Sequence, residues 1–407
     1  MAVPRGKLSH SIKFDASSFL KFPFSRISDE TKILEFEKAL ASYLGVKYCI
    51  SFSLARSALH SILSEMRLPR GTKILMPSIT IKGILDVVLD LGLKPIFVDS
   101  DPSTACFEIK SLKEKISEGP QVALLTYLFG VVPNVNPIVT LLRKNSIYII
   151  EDISQNLNAE YDGEKLGTFG DCAIYSASAI KTLDLYGGGF VFTNDFDLSQ
   201  ALRSRQGKMP WPSKFSIQKK IFISLIRNIL TQNLIFSFFT FPLMRLACLN
   251  NPNRFVRFVG NRSMRPLKTL PREWFVRFTS YQSVIGFRIL HQIRSSDRVR
   301  VERAVDIIQK SPFNHVITDA NSMPVYWQNI VLISDPLLFI QFMRHKKIDT
   351  AQSSLILLCA LTEYGLVQKM PGAENIYNKG VYLPNFAKLS KIQVCKISKA
   401  LQDYSLG

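Results

Sequence analysis

Residues 147–152 read Ile-Tyr-Ile-Ile-Glu-Asp, an apolar run that ends in two acidic residues. An apolar run without alternation is typical of a strand that is buried on both faces, as in a parallel sheet. An acid at its carboxyl end, Asp152, then lies at the sheet edge where open α/β folds bind their ligands. Lys181 follows 29 residues later and precedes three glycines at 187–189, the glycine turn. A lysine that is removed from water at such an edge becomes a neutral amine that can form a Schiff base.

The surrounding chain continues this pattern. Between residues 31 and 195, apolar strand-like runs alternate with helical segments, which predicts a mostly parallel sheet with helices on both faces. The expected organisation is an N-terminal arm of little periodicity (1–30), a large sheet domain (31–210), an insert (211–275) and a smaller C-terminal α+β domain (276–407). A chain of 407 residues with 47% hydrophobic residues can bury two such cores.

Four motifs around Lys181 carry a resemblance to a known family. They are residues 151–155 (Glu-Asp-Ile-Ser-Gln), residues 166–171 (Leu-Gly-Thr-Phe-Gly-Asp), Ser176 five residues before the lysine, and the glycine turn after it. In this order and spacing they resemble the DegT/DnrJ/StrS-type sugar aminotransferases, which are pyridoxal-phosphate enzymes of fold type I. The resemblance implies the fold of that class, bound pyridoxal 5'-phosphate, and a homodimer that builds each active site from two chains.

The resemblance also implies roles for individual residues. Lys181 would hold the cofactor covalently and then act as the base that moves a proton, while Asp152 would keep the pyridine nitrogen protonated. Gln155 would bind the ring oxygen, and Ser176 with Arg56 would bind the phosphate. The expected cofactor-binding residues are Ala55, Arg56, Ile81, Asp152, Gln155, Ser176 and Lys181. Two alternatives stay open, namely Asp152 as a helix N-cap and Arg56 as a solvated residue of a first helical turn.

The chain departs from the family pattern at four places. Residues 54–56, Leu-Ala-Arg, stand where the family has a Ser-Gly-Thr phosphate loop, and Ile81 stands where an aromatic residue usually stacks on the cofactor ring. Phe275 replaces an asparagine that reaches the cofactor phosphate of the neighbouring subunit, and Gly187 replaces a glutamate of many relatives. Arg56 still offers a cationic fork for a phosphate. These departures keep open a non-catalytic or divergent member that retains the fold as a binding or assembly module.

The net positive charge of the chain is concentrated in residues 201–310, which include the insert. Residues 201–310 contain 21 Lys/Arg and four Asp/Glu, and within them residues 211–272 contain 11 basic residues and no acidic one. Between Arg227 and Arg245 lie 17 uncharged residues, fewer than the roughly 20 that a spanning helix needs. Two alternatives remain, a helical insert buried in the dimer or core and one that lies on an anionic membrane surface. The chain carries no known nucleic-acid-binding motif, so the charge does not indicate a nucleic-acid partner.

Composition limits the other classes of site. The six cysteines lie far apart and the five histidines form no ligand pair, so no metal site is expected. The N-terminus does not resemble a signal peptide, which favours a cytoplasmic location, with peripheral membrane contact through residues 211–272.

The resemblance implies a reaction as well as a fold. It is the transfer of an amino group from glutamate or glutamine to a keto-sugar carried on a nucleotide, for surface polysaccharide or a related glycan. Relatives that dehydrate their sugar have histidine at the position of Lys181, so the lysine favours amino transfer.

Overall fold

The computed structural model describes residues 1–247, 267 and 269–406. In chain order its strands are β1 (Tyr48–Phe52), β2 (Lys73–Pro77), β3 (Ile79–Thr80), β4 (Lys94–Val98), β5 (Val122–Thr126), β6 (Tyr148–Asp152), β7 (Glu160–Tyr161), β8 (Glu164–Lys165), β9 (Cys172–Ser176), β10 (Gly189–Thr193), β11 (Ser322–Met323), β12 (Asn329–Leu332), β13 (Ala351–Gln352), β14 (Ile356–Leu357) and β15 (Gly380–Leu383). The α-helices are α1 (Ile12–Lys21), α2 (Glu30–Leu44), α3 (Ala55–Glu65), α4 (Lys82–Asp90), α5 (Ile109–Ile116), α6 (Val135–Lys144), α7 (Phe196–Gly207), α8 (Lys214–Leu230), α9 (Asn233–Ile235), α10 (Phe241–Ala247), α11 (Ser280–Leu290), α12 (Ile293–Gln309), α13 (Pro336–His345), α14 (Pro371–Lys379) and α15 (Lys391–Leu406).

The chain folds around a seven-stranded sheet with the order β1-β10-β9-β6-β5-β2-β4. Six of its strands run in one direction and β10 runs against them. Alternate residues of the strands enter two hydrophobic clusters: Leu125 and Ile149 belong to one, and Leu124 and Ile150 to the other. The first cluster includes side chains of α2, α6, α8 and α11, and the second includes those of α3 and α4. Helices therefore cover both faces of the sheet, which confirms the α/β class expected from the uninterrupted apolar runs.

The C-terminal part forms a smaller layer of its own. β12, β15 and β13 make a three-stranded antiparallel sheet, and α13 and α15 pack on it through a separate hydrophobic cluster. β14 returns to the large domain, where Ile356 lies opposite Thr80 of β3. The α+β character expected of this region is present, while its bounds, residues 276–407, and those of the insert, residues 211–275, stay a prediction.

The N-terminal arm contains a helix that its sequence pattern does not predict. The Ser11 side chain accepts a hydrogen bond from the Phe14 amide and so caps the start of α1. The helix is stabilised by packing, since Phe19 of α1 contacts Phe222 of α8 with their ring centroids 5.6 Å apart. The helix exists because the insert gives it a surface to pack against, and local propensity alone does not reveal it.

The described part of the insert is helical. α8 buries Ile217, Ile221, Ser224 and Asn228 on one side, and α9 continues through a π-helical turn at Phe236–Thr240 into α10. Within the described ranges no single helix is long and apolar enough to span a membrane, and α8 with α9–α10 meets those criteria only as a pair bent by 68°. The remainder of the insert, residues 248–266 and 268, lies outside the described residues.

A buried polar network fastens α1 and α8 to the segment before the glycine turn. Asp15 accepts hydrogen bonds from the Tyr186 hydroxyl (2.6 Å) and the Asn228 amide (3.0 Å), and it pairs with His10 at 3.0 Å. His10 Nε2 lies 2.9 Å from the carbonyl oxygen of Asp184. Burial lowers the pKa of His10, but the hydrogen bond to Asp15 and the charges of Asp184 and Asp15 raise that pKa overall. The charged imidazole is thus favoured inside the network.

Asp15→Asn should lower the free energy of unfolding by about 3 kcal/mol at pH 6, because it leaves a buried charged ring without its carboxylate. A raised folded-state pKa gives stability that is complete below the unfolded value of 6.5 and is lost as the pH rises through the folded value. The difference between the two proteins should therefore shrink toward pH 9, as measured by urea unfolding. Asp403→Asn, which breaks a partly exposed pair with Lys346, is the control and should change the free energy of unfolding far less. A difference that grows with pH would contradict the role given to His10.

Candidate active site

The carboxyl ends of three parallel strands meet at one edge of the sheet. β5 ends at Thr126, β6 at Asp152 and β9 at Ser176, and Asp152 lies in register with Thr126 on one side and Ile174 on the other. This is the edge where ligands bind in open α/β sheets. In the part of the chain that the structure describes, the buried Thr126 hydroxyl has no hydrogen-bond partner, an observation that a bound polar group would explain.

Lys181 and Asp152 form the charged centre of this edge. Burial lowers the pKa of Lys181 to about 8, while the Asp152 carboxylate acts in the opposite direction. Burial likewise raises the pKa of Asp152, and hydrogen bonds from Ser154 and the charge of Lys181 oppose that rise. A lysine with this pKa carries a useful fraction of neutral amine near neutral pH, which a Schiff-base lysine requires.

Backbone groups hold the polar side chains of the turn that follows β6. The Asp152 carboxylate accepts a hydrogen bond from the Ser154 amide at 2.9 Å. Residues 153–159 form turns that lead to β7, so no helix begins there and the N-cap alternative for Asp152 is wrong. Gln155 accepts a hydrogen bond from the backbone amide of Phe129, which orients its side chain beside the segment that follows β5.

Trp327 covers Lys181 and was missed by the sequence pattern. The Lys181 ammonium lies 4.0 Å from the centroid of the Trp327 ring, a cation–π contact, and the indole N–H donates to the Ile180 carbonyl at 2.8 Å. A Cβ built on Gly130 would lie 2.2 Å from the backbone nitrogen of Trp327, so the close approach of the two segments requires glycine there. No local signal marks this residue, because it meets Ile180 across 147 residues of chain.

The glycine turn packs against the first residues of α3. Gly189 lies opposite Ser176 of β9, and the Ser176 hydroxyl donates to that of Ser178 at 3.1 Å. A Cβ on Gly189 would lie 2.1 Å from the carbonyl carbon of Leu54 and 2.3 Å from the amide nitrogen of Ala55, so only glycine fits. Ser176 and the start of α3 thus approach each other through Gly189. Because α3 begins without a side-chain cap, the positive end of its dipole is open to an anion.

Arg56 is held beside the same helix end. Its guanidinium lies 4.5 Å from the centroid of the Trp274 ring, and its Nη1 lies 3.0 Å from a Cβ built on Gly83 of α4. Burial lowers the pKa of Arg56, with Asp86 acting in the opposite direction. Arg56 is therefore half-buried, and the alternative of a freely solvated residue is wrong. Ile81, two residues before Gly83, is 41% exposed and can contact a ligand.

Phe275 packs inside its own chain. Its ring lies 4.8 Å from that of His60, centroid to centroid, with the two planes nearly perpendicular. The neighbouring Arg277 pairs with Glu30 at 2.8 Å and stacks on Trp211 at 4.1 Å. Phe275 thus presents no hydrogen-bonding group to a second subunit, in agreement with the departure seen in the sequence.

The residues at this edge fit the cofactor that the resemblance implies. Lys181 provides an amine, Asp152 provides a buried carboxylate for a ring nitrogen, and the start of α3 with Arg56 suits a phosphate. In the described ranges no group of three or more His, Cys, Asp and Glu side chains could hold a metal ion. The seven cofactor-binding assignments made from the sequence stay predictions.

Comparison with known proteins agrees with this geometry. Residues 25–210 match the model of the DegT/DnrJ/EryC1/StrS aminotransferase family, which confirms the resemblance for that part of the chain. The GDP-perosamine synthase of Caulobacter vibrioides is 33% identical over 182 residues, which cover 45% of this chain and 49% of that protein. The chain thus spans about half the length of the curated relatives it matches.

Solved structures match over almost the whole chain. The sugar aminotransferase CalS13 from Micromonospora echinospora has a TM-score of 0.75 at 20% identity and covers 98% of this chain and 99% of its own. A GDP-4-keto-6-deoxy-D-mannose-3-dehydratase from E. coli with bound hydrated PLP has a TM-score of 0.72 at 16% identity, covering 98% and 100%. At these identities the likeness shows the fold alone.

Asp152→Asn should lower the pKa of Lys181 below about 8, by about one unit or more, because it removes the charge that opposes desolvation of the ammonium. Competitive labelling of the cofactor-free protein with acetic anhydride over a pH series, read by mass spectrometry, measures this pKa directly. Asp171→Asn removes an equal charge at the other end of β9 and should leave the titration of Lys181 in place. An unchanged or raised pKa in Asp152→Asn would refute the proposed pairing.

Proposed function

We propose that this chain, whose residues 25–210 belong to the DegT/DnrJ/EryC1/StrS aminotransferase family, is a pyridoxal-phosphate enzyme that transfers an amino group to a keto-sugar carried on a nucleotide. The observation that carries the proposal is a half-buried lysine, Lys181, whose pKa is lowered to about 8, near the buried Asp152 at the carboxyl edge of a parallel sheet. The amino donor is glutamate or glutamine, and the product enters surface polysaccharide or a related glycan. The similarity to a GDP-perosamine synthase supports an amino sugar linked to a nucleotide.

Different residues of this chain have different roles in that reaction. Pyridoxal phosphate, when bound, supplies an electron-withdrawing ring that stabilises negative charge next to the transferred nitrogen. Lys181 binds the cofactor through its amine and then takes and returns the proton that moves during transfer, for which a pKa near the working pH is well suited. Asp152 keeps the ring nitrogen protonated, and the Ser154 amide holds the carboxylate in position. Trp327 shields the amine from water on one side.

The alternative of a non-catalytic member rests on the departures at residues 54–56, Ile81, Gly187 and Phe275. The replacement at 54–56 has a local compensation, since Arg56 is fixed beside the helix end where a phosphate would bind. Catalytic and non-catalytic members differ in whether the lysine engages the cofactor. Labelling of Lys181 therefore separates them.

Incubation with pyridoxal phosphate and reduction with borohydride should attach a phosphopyridoxyl group to Lys181, located by peptide mass mapping. Lys82 is the internal control, because it is removed from water but is paired with Asp86 at 2.7 Å and should stay unlabelled. Lys181→Ala should remove the label and abolish amino transfer while keeping the thermal stability near that of the wild type. Wild-type protein that takes no label, or turnover in Lys181→Ala, would overturn the proposed function.

The outer face of the insert supports a peripheral location on an anionic membrane. Ten large apolar side chains within residues 214–247 are exposed: Phe215, Phe222, Ile223, Ile226, Leu234, Ile235, Phe238, Phe239, Leu243 and Leu246. Residues 211–272 carry 11 basic residues and no acidic one, so the surface suits lipid headgroups better than a neutral partner. Each cation near such a surface contributes about 1 kcal/mol of attraction. The homodimer that the family resemblance implies is the competing use of this face.

Liposome flotation of the full chain should show binding to phosphatidylserine vesicles at low salt and none to neutral vesicles. The double variant Phe238→Ser/Phe239→Ser should lose that binding, because both rings are exposed on the insert, at 77% and 61%. Ile392→Ser/Leu406→Ser, exposed at 82% and 89% on α15, is the matched control and should float normally. Analytical ultracentrifugation of the same proteins tests whether the exposed apolar face of the insert is a dimer interface. It is one if Phe238→Ser/Phe239→Ser becomes monomeric and the wild type never floats.

A further inference from the structure

Lys220 of the insert reaches the glycine turn at Gly187. Its Nζ lies 3.1 Å from a Cβ built on Gly187, and Gln282 Nε2 lies 3.7 Å from the same point. Gln282 donates hydrogen bonds to the carbonyl oxygens of Leu185 and Gly187 at 3.0 Å each, and these bonds fix the backbone of the turn. Gly187 has a φ of 129°, a backbone conformation that residues with a side chain rarely adopt. The missing side chain at this position is what gives the ammonium of Lys220 its room.

Lys220 and Arg56 act on each other as like charges. Burial lowers the pKa of Lys220, and the nearby Arg56 guanidinium lowers it further. Within the described residues neither cation forms an ion pair with a carboxylate, since Asp86, the acid that acts on Arg56, is paired with Lys82 at 2.7 Å. The Lys220 side chain is exposed and that of Arg56 is half-buried. Two neighbouring cations repel, and an anion between them would turn that repulsion into attraction.

The ligand that this arrangement suits is a phosphate. The start of α3 contributes the positive end of a helix 11 residues long, without a side-chain cap. Arg56 contributes a planar fork of donors, which matches phosphate oxygens, and Lys220 contributes a compact charge on a flexible stem. Gly189 brings these parts together, because its close contact with Leu54 and Ala55 sets the turn against the helix end.

We propose that Lys220, with Arg56 and the start of α3, binds a phosphate group at the glycine turn. This rests on the proposed function, in which that group is the phosphate of the cofactor or the diphosphate of the nucleotide-linked sugar. The inserted helix thereby supplies within one chain a phosphate ligand that Phe275 cannot offer to a neighbouring subunit. The insert is then part of the binding site as well as a surface element.

Lys220→Met tests the proposal in the full chain, with Lys219→Met as the matched control, because both lysines are exposed on the same helix and only Lys220 approaches Gly187. Dissociation constants for pyridoxal 5'-phosphate and for pyridoxal are measured by absorbance, and those for GDP and UDP by calorimetry. Lys220→Met should weaken binding of pyridoxal phosphate about tenfold or more and leave pyridoxal unchanged, since only the first ligand carries a phosphate. Lys220→Arg should restore most of the loss, and Lys219→Met should stay within about twofold of wild type for every ligand.

Comparison of the four ligands identifies the source of the phosphate. It also separates this proposal from the proposed function. A loss confined to GDP and UDP assigns Lys220 to the substrate diphosphate. Equal losses for pyridoxal and its phosphate, or no loss for any ligand, overturn the proposal while leaving the enzyme intact. A wild-type protein that binds neither cofactor nor nucleotide overturns the proposed function and this inference together. Circular dichroism of Lys220→Met and Lys220→Arg checks that both variants fold, so that a change in binding can be assigned to the site.

Discussion

Lys181 and Asp152 carry opposite charges that are partly removed from water. The arrangement of the surrounding sheet edge depends on this pair of charges. Desolvation drives the two pKa values toward each other, lowering that of the amine and raising that of the acid, while their mutual attraction limits both shifts. Such a pair is stable only where the surrounding backbone fixes both partners. Asp152 is the last residue of β6. Lys181 lies in the segment that follows β9, against the ring of Trp327.

The glycine turn is the second constraint, because it makes the neighbouring parts of the edge meet. Gly189 lies against the first residues of α3, and Gly187 lies against Lys220 of α8. The segment just before the turn is tied by Tyr186 to Asp15, which also binds Asn228 of α8. One short stretch of backbone is thus in contact with the large domain, the arm and the insert. A side chain at any of the three glycines would disturb more than its own position.

The sequence predicted the elements whose signal is local. Uninterrupted apolar runs predicted the parallel strands, and the acid that ends one of these runs, Asp152, was expected at the sheet edge, because both are properties of neighbouring residues. The roles of Asp152 and Lys181 follow from the family resemblance and stay predictions. Trp327, Trp274 and Lys220 could not be predicted, since each reaches the site from a segment far away in the chain and carries no motif. The helix α1 was missed for a related reason: its stability depends on packing against α8, which the sequence of the arm does not contain.

The helix α8 carries both a cation that approaches the glycine turn and a set of exposed apolar side chains. Ile217 and Ile221 face the core, Lys220 approaches the glycine turn, and Ile223 and Ile226 are exposed. Because successive side chains of a helix are fixed relative to one another, the outer apolar face cannot shift without moving Lys220 relative to Arg56. The buried network around Asn228 resists such a shift at the far end of the helix. A surface that binds the outer face of α8 would therefore also constrain the position of Lys220 at the glycine turn. The same turn contacts the start of α3, where Arg56 lies.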